Sequence, residues 1–238
     1  VMYNTYELKD YVSAVRAAEA LFATPDVEFN SRDYMQYGKL LFALGEKEKS
    51  IAALEKAVEI DPTRLELYKE LMTTLQKSGK YMRRAEVQDL YLKQLVALEQ
   101  DKTQDYFIAG RYYYMAATRA YQAKDTIGTT IAATKADSCF AIVVEKAPED
   151  YRGHLWRASS TALLDLERKT GVAIPFYEKA IEVILKDLNN TETPPTEAVA
   201  ARLKEDLIEA YTYMANFEYV AEYDKYLAMT DEQRNTFK

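Results

Sequence analysis

The chain has 238 residues, of which 48% are hydrophobic, and it contains only 7 Gly and 6 Pro. This composition excludes a disordered chain and favours helices joined by short connections. The net charge of −7, without any block of Lys and Arg, argues against binding to a nucleic-acid backbone.

The first thirty residues predict one helix and its end. The helical spacing is carried by four residues, Tyr11, Ala14, Ala18 and Leu21. Thr24-Pro25-Asp26 then ends the helix, because proline cannot continue it. Residues 1–8 predict the last turns of a preceding helix.

Residues 31–64 carry the most specific pattern of the chain. The face of the first helix is indicated by Tyr34, Tyr37, Gly38 and Leu41. The face of the second helix is indicated by Ser50, Leu54 and Ala57, and Pro62 closes the unit. Gly38 and Ser50 are small, which predicts that the two helices cross closely beside them. Gly45 predicts the turn between the helices.

This pattern resembles the tetratricopeptide repeat, a 34-residue helix–turn–helix unit. The resemblance implies an all-α fold, a tetratricopeptide-like superhelix or solenoid of antiparallel helix pairs. The predicted boundaries are a partial repeat at 1–30, repeats at about 31–64, 65–100, 103–149, 150–188 and 194–230, and a possible cap at 231–238. A bare half-repeat at the start predicts that the chain is a fragment of a longer protein. The tyrosine-rich style is similar to that of repeat proteins from Bacteroidetes-type bacteria.

The later repeats depart from the standard length. In the repeat at 103–149, Gly110 matches the first-helix pattern and Phe140 the second-helix pattern, and the turn is expected around residues 124–128. The following repeat is expected to turn at residues 168–172, and residues 188–195 form a loop. The last repeat is predicted to be a helix pair. Its first helix is indicated by Leu203, Leu207 and Ala210, and its second helix by Tyr219, Tyr223 and Tyr226.

The sequence offers little for catalysis, metal binding or membrane insertion. His154 is the only histidine and Cys139 the only cysteine, so a histidine-based metal site cannot be built. Cys139 is expected to be buried on the inward side of a helix, where it acts as a small hydrophobe. No glycine-rich phosphate loop is present, no cofactor is implied, and no apolar run suggests a transmembrane segment. We therefore expect a protein that is not an enzyme.

The first helix of each repeat is expected to line the concave face of the solenoid, the usual binding surface of such arrays. Eight residues are predicted to project there: Arg32, Met35, Lys39, Phe42, Lys69, Phe107, Arg111 and Tyr114. The last three are expected to be hot spots. Chaperone-binding members of the family carry a Lys/Asn/Arg clamp, but the matching positions here are Met35, Lys39, Glu70, Gln104 and Ile108. That subclass is excluded.

The resemblance implies a non-catalytic scaffold that binds a protein or peptide partner in its groove. The alternative is a ligand-capturing component of a bacterial outer-membrane nutrient-uptake system, and an enzyme is the third possibility. Asp125-Thr126-Ile127 resembles the O-glycosylation acceptor of Bacteroidetes-type bacteria, with Thr126 as the acceptor. It favours a periplasmic or cell-surface location, with the cytoplasm as the alternative.

Overall fold

The computed structural model describes residues 10–25 and 27–229, with the side chain of Tyr226 excepted. Ten helices lie within these residues: α1 Tyr11–Phe22, α2 Ser31–Ala43, α3 Lys47–Ile60, α4 Leu65–Lys77, α5 Tyr81–Ala97, α6 Thr103–Gln122, α7 Thr126–Lys146, α8 Tyr151–Ala162, α9 Ile174–Leu188 and α10 Glu197–Ala228. The described residues form no strand, which confirms the predicted all-α class. The predicted turns before residue 9 and the predicted cap at 231–238 lie outside the described residues.

The chain divides into two compact units, Val1–Asp101 and Lys102–Lys238, here called the N-terminal unit and the C-terminal unit. In the N-terminal unit, α2 pairs with α3 and α4 with α5, and α1 packs on α2. In the C-terminal unit, α6 pairs with α7 and α8 with α9, and α10 packs on α9. Each unit therefore consists of successive helix pairs.

The close crossing predicted in the repeat at 31–64 is present between α2 and α3. A Cβ atom on Gly38 would lie 2.8 Å from Cγ of Leu54 and 3.2 Å from the carbonyl oxygen of Ser50. The Ser50 hydroxyl donates a hydrogen bond of 2.7 Å to the Gly38 carbonyl oxygen. Gly45 has φ of 86°, so it provides the left-handed residue of the turn. The predicted roles of these residues are confirmed.

The same crossing recurs between α6 and α7. A Cβ atom on Gly110 would lie 2.7 Å from the ring of Phe140, which is fully buried. The turn between these helices is shorter than predicted, because α7 already begins at Thr126. Asp125 starts the helix by accepting a 2.9 Å hydrogen bond from the Gly128 backbone N–H, so Gly128 lies inside the first helical turn.

The packing face of α1 ends differently from the prediction. Ala14 and Ala18 are fully buried as expected, but Leu21 is exposed. The neighbouring ring of Phe22 packs instead, with its centroid 4.9 Å from that of Tyr34 and 4.9 Å from that of Tyr37. A larger aromatic side chain one residue later therefore closes this end of the helix.

The connection between α8 and α9 is a structured loop, longer than the predicted turn at 168–172. The buried carboxylate of Asp165 accepts hydrogen bonds from the backbone N–H groups of Lys169, Thr170 and Gly171, at 2.9, 3.0 and 2.9 Å. Burial alone raises the pKa of Asp165, but these hydrogen bonds outweigh it and hold the pKa below its ordinary value. Asp165 is therefore the organising residue of this loop.

The helix pair predicted for the last repeat is wrong. Residues Glu197–Ala228 form one continuous helix of 32 residues. This stretch contains neither Gly nor Pro, and the spacing of Leu203, Ala210 and Tyr213, all buried, continues without a break. Nothing in the local sequence therefore stops the helix at the expected turn.

One helix of the described residues, α7, is long and apolar enough to cross a membrane by length and composition alone. The absence of a transmembrane segment therefore stays a prediction. In the structure α7 packs between α6 and α8. Its buried face consists largely of small side chains, namely Thr129, Ala132, Ala133, Ala136, Phe140 and Val143.

Candidate partner-binding surface

Five of the eight predicted binding residues lie in the N-terminal unit, on α2 and α4. Arg32 is exposed at the start of α2, whereas Met35 is only 9% exposed and belongs to the core. Lys39 on α2 forms a 3.3 Å ion pair with Glu70 on α4, so these two first helices are neighbours. Because Glu70 neutralises Lys39, this position does not offer the free cation that a carboxylate clamp needs.

The other two residues of this part, Phe42 and Lys69, each take part in a cation–π contact. The Lys77 ammonium lies 5.6 Å from the ring centroid of Phe42. The Lys69 ammonium lies 5.8 Å from the ring centroid of Tyr91. The predicted binding residues of the N-terminal unit thus make separate polar and aromatic contacts and do not share one centre.

The remaining three predicted residues are brought together around Trp156 in the C-terminal unit. The Trp156 ring centroid lies 6.0 Å from that of Phe107 and 5.1 Å from that of Tyr114, both in edge-to-face geometry. The Arg111 guanidinium lies 5.6 Å from the Trp156 centroid. Phe107, Arg111 and Tyr114 project from α6 at one-turn spacing, and Trp156 reaches them from α8.

Phe107 also has a packing role. Its ring centroid lies 5.5 Å from that of Phe140, the fully buried ring that closes the α6–α7 crossing. The Arg152 guanidinium lies 5.7 Å from the Phe107 centroid and is held by both oxygens of Asp150. Truncation of Phe107 would therefore loosen the core as well as change the surface. Arg111 differs from Phe107 because its side chain is exposed.

Helix α10 forms the second wall of this surface. The Tyr151 hydroxyl donates a 2.8 Å hydrogen bond to Asp206, and the Ser159 hydroxyl donates a 3.1 Å bond to Glu209. Between these walls lies a cavity of about 170 Å³. It is lined by Tyr114, Arg152, Leu155, Trp156, Ser159, Arg202, Asp206 and Glu209. We call this cavity, together with Phe107 and Arg111, the aromatic groove.

The hydroxyls near the groove remain protonated at neutral pH. Burial and then the negative charge of Glu209 raise the pKa of Tyr114. Burial, the hydrogen bond to Asp206 and its charge raise the pKa of Tyr151 to about 12. The Tyr151 hydroxyl therefore donates its hydrogen bond to Asp206, and neither tyrosine is tuned to exchange protons near neutrality.

The sequence match to a known protein family lies in the first complete helix pair, α2 and α3. The family model of the tetratricopeptide repeat matches residues 34–64. Residues 34–64 are a tetratricopeptide repeat. No curated protein matches the chain.

Solved structures extend the tetratricopeptide resemblance along the chain. A crystal structure of the C-terminal part of a TPR repeat-containing protein from Cytophaga hutchinsonii is 27% identical, covers 92% of this chain and 74% of its own, and has a TM-score of 0.52. The predicted tetratricopeptide-like solenoid fold and the resemblance to proteins of Bacteroidetes-type bacteria are confirmed.

More distant structures are similar to a smaller part of the chain. MamA from Desulfovibrio magneticus RS-1 is 15% identical, covers 81% of this chain and 95% of its own, and has a TM-score of 0.37. A thermophilic TPR protein from Thermus thermophilus is 19% identical, covers 75% of this chain and 99% of its own, and has a TM-score of 0.33.

Tetratricopeptide repeats are in general interaction scaffolds rather than catalysts. The structure places the only histidine and the only cysteine of the chain as follows. His154 is 6% exposed, and its Nε2 atom lies 2.9 Å from the Pro148 carbonyl oxygen. Cys139 is half-buried, which corrects the prediction that it is buried. Among the described residues, no group of three or more His, Cys, Asp and Glu is placed to hold a metal ion.

Sequence reasoning found three residues of the aromatic groove but missed its centre. Trp156 is not among the eight predicted binding residues. Its proximity to Tyr114 depends on how α6 and α8 pack, and spacing within one helix does not report that. Asp206 and Glu209, the acidic residues that α10 contributes to the groove, are also absent from the prediction, because they lie on the helix whose length was predicted wrongly.

Proposed function

We propose that the chain is a non-catalytic scaffold that binds a peptide or protein partner in the aromatic groove. The observation that supports this most is the Trp156 centre, where Phe107 and Tyr114 pack edge-on and Arg111 covers the ring. Trp, Tyr and Arg are the residue types that dominate binding hot spots. The cavity of about 170 Å³ beside Trp156 gives a partner side chain a place to enter.

The groove favours a partner segment that is both apolar and charged. An apolar or aromatic side chain fits against Trp156, Tyr114 and Leu155. Arg111 has no ion-pair partner among the described residues, so its guanidinium is available to an acidic group of the partner. Arg32, Phe42 and Lys69 in the N-terminal unit stay predictions for the same role.

The experiment compares two arginines of the same helix. A partner captured by the purified chain is titrated against the Arg111→Ala and Arg119→Ala variants. Arg119 is also exposed on α6 but is not part of the groove, so it is the matched control. We expect Arg111→Ala to weaken binding by about 1–3 kcal/mol and Arg119→Ala to leave it unchanged. Equal affinities for both variants would place the binding surface elsewhere.

We also propose that the protein is exported to the periplasm or cell surface. Two features support this: the resemblance to the Cytophaga hutchinsonii protein and the exposure of Thr126 and Ile127 directly after Asp125. Fractionation of the native host together with the intact mass tests it. An unmodified chain found in the cytoplasm would contradict it.

Ligand capture for nutrient uptake stays the alternative function. It would be supported by a small sugar that competes with the captured partner.

A further inference from the structure

Two carboxylates line the cavity of the aromatic groove without a cation beside them. Asp206 and Glu209 lie about one turn apart on the same face of α10. Asp206 accepts its 2.8 Å hydrogen bond from the neutral Tyr151 hydroxyl. Glu209 accepts its 3.1 Å hydrogen bond from the neutral Ser159 hydroxyl. Within the part of the chain that the structure describes, neither carboxylate forms an ion pair.

The hydrogen bond that Glu209 accepts is a shared one. The Ser159 hydroxyl has a single hydrogen to donate, and the Leu155 carbonyl oxygen, 3.0 Å away, competes for it. Burial raises the pKa of Tyr114 and of Tyr177, and the negative charge of Glu209 raises both further. Glu209 therefore acts on its neighbours as a charge that the protein itself does not neutralise.

The positive charges of the cavity lie toward its other end. Arg152 and Arg202 line both this cavity and a neighbouring one of about 520 Å³, whereas Glu209 lines only the first. Arg152 is held by both oxygens of Asp150. Arg202 is exposed and has no ion-pair partner among the described residues. Because Arg202 precedes Glu209 by seven residues on α10, the two lie about 10 Å apart along the helix.

We propose that the cavity binds a lysine or arginine side chain of the partner, with its charged group seated between Asp206 and Glu209. The proposal rests on the proposed function, since it names the chemistry of the segment that the aromatic groove accepts. The apolar stem of such a side chain packs against Leu155 and Trp156, and its charged head meets the carboxylates. An acidic group about 10 Å away, three residues along an extended partner segment, then meets Arg202.

A small cation tests the site directly. The probe is acetyl-arginine amide, and the readout is the fluorescence of Trp156, the only tryptophan, at constant ionic strength. Acetyl-citrulline amide has nearly the same shape without the charge and is the control. We expect the arginine probe to saturate with a dissociation constant on the order of 1–10 mM, and the citrulline probe to bind at least about tenfold more weakly. Equal binding of the two probes, or no saturation by arginine up to about 100 mM, would overturn the proposal.

Two variants of α10 show which carboxylate holds the cation. Glu209→Gln removes the charge and keeps the size of the side chain. Glu205→Gln is the matched control, because Glu205 is exposed on the same helix and does not line the cavity. We expect Glu209→Gln to weaken the arginine probe about tenfold and Glu205→Gln to leave it unchanged. The same affinity in both variants would contradict a cation seated at Glu209.

The charge order is tested with a capped peptide that carries a glutamate three residues from its arginine. We expect it to bind about tenfold more tightly than the same peptide with glutamine at that place, and Arg202→Ala to remove this gain. A gain that survives Arg202→Ala would overturn the charge order.

The captured partner separates this proposal from the proposed function. Its affinity should fall in Glu209→Gln as well as in Arg111→Ala. A partner that needs Arg111 but is indifferent to Glu209→Gln would overturn the basic side chain in the cavity and leave the scaffold function in place.

Discussion

Gly38 shows how a single residue sets the geometry of a helix pair. Replacing it with leucine forces a large side chain into space occupied by Leu54, whose Cγ would lie 2.8 Å from the new Cβ. Overpacking of this kind costs about 1–3 kcal/mol or more. We therefore expect Gly38→Leu to lower the melting temperature markedly in thermal unfolding. Ala43→Leu, at an exposed position of the same helix, is the control and should melt like the parent.

Asp165 gives the loop between α8 and α9 a pH dependence. Its hydrogen bonds hold its pKa below the ordinary value, so its contribution to stability is present above the unfolded carboxyl pKa of about 3.9. That contribution is lost as the pH falls through the folded pKa, because protonation favours the unfolded state.

The Asp165→Asn variant isolates this effect. At pH 7 we expect it to lower the free energy of unfolding by about 1–3 kcal/mol, since the three backbone N–H groups lose a charged acceptor. Denaturant unfolding at several pH values should show the difference from the parent shrinking below about pH 4. A difference that stays constant down to about pH 2 would show that the carboxylate charge is not what organises the loop.

At the scale of single residues, the sequence predicted the helix crossings well and the surface contacts less well. Gly38, Ser50 and Leu54 could be placed because each crossing needs small and large residues at fixed spacing within one repeat. Trp156 and Glu209 could not be placed on the proposed binding surface, because their neighbours come from other parts of the chain. The end of α1 was missed by one residue because Leu21 and Phe22 are both apolar.

At the scale of elements, the continuity of α10 is the clearest departure from the repeat pattern. Ala215→Pro would remove a backbone donor in the middle of this helix and clash with the preceding turn. We expect a loss of about 3 kcal/mol in the free energy of unfolding, measured with denaturant. If a turn existed here instead, proline would be tolerated.

Ala198→Pro is the control for that change. Ala198 lies in the first turn of the same helix, where proline is accepted because the backbone N–H has no partner within the helix. Its stability should remain close to that of the parent. Equal stability of the two proline variants would contradict a continuous α10.

The length of this helix could not be predicted from the repeat pattern. The pattern expects a turn in every unit, and the tyrosines at 219 and 223 have the spacing of a second helix. Turns elsewhere are marked by residues with left-handed backbone, such as Gly45 and Gly171. No glycine or proline marks one between Glu197 and Ala228, and that absence was the available signal.

At the scale of the whole molecule, function depends on which surface of the helix pairs meets a partner. The C-terminal unit places an aromatic centre, an exposed arginine and a cavity on the surface formed by α6, α8 and α10. In the N-terminal unit the predicted binding residues do not share one centre, and Lys39 on α2 is paired with Glu70 on α4. This contrast favours the C-terminal unit as the main recognition surface.

Trp156 makes this claim directly measurable, because it is the only tryptophan of the chain. A chain labelled with 5-fluorotryptophan gives a single fluorine resonance, and an unlabelled captured partner adds none. The account predicts that this resonance shifts and saturates as the partner is added, in step with the binding curve. A partner that binds to saturation while the resonance stays unmoved would contradict the central claim that the aromatic groove is the recognition surface.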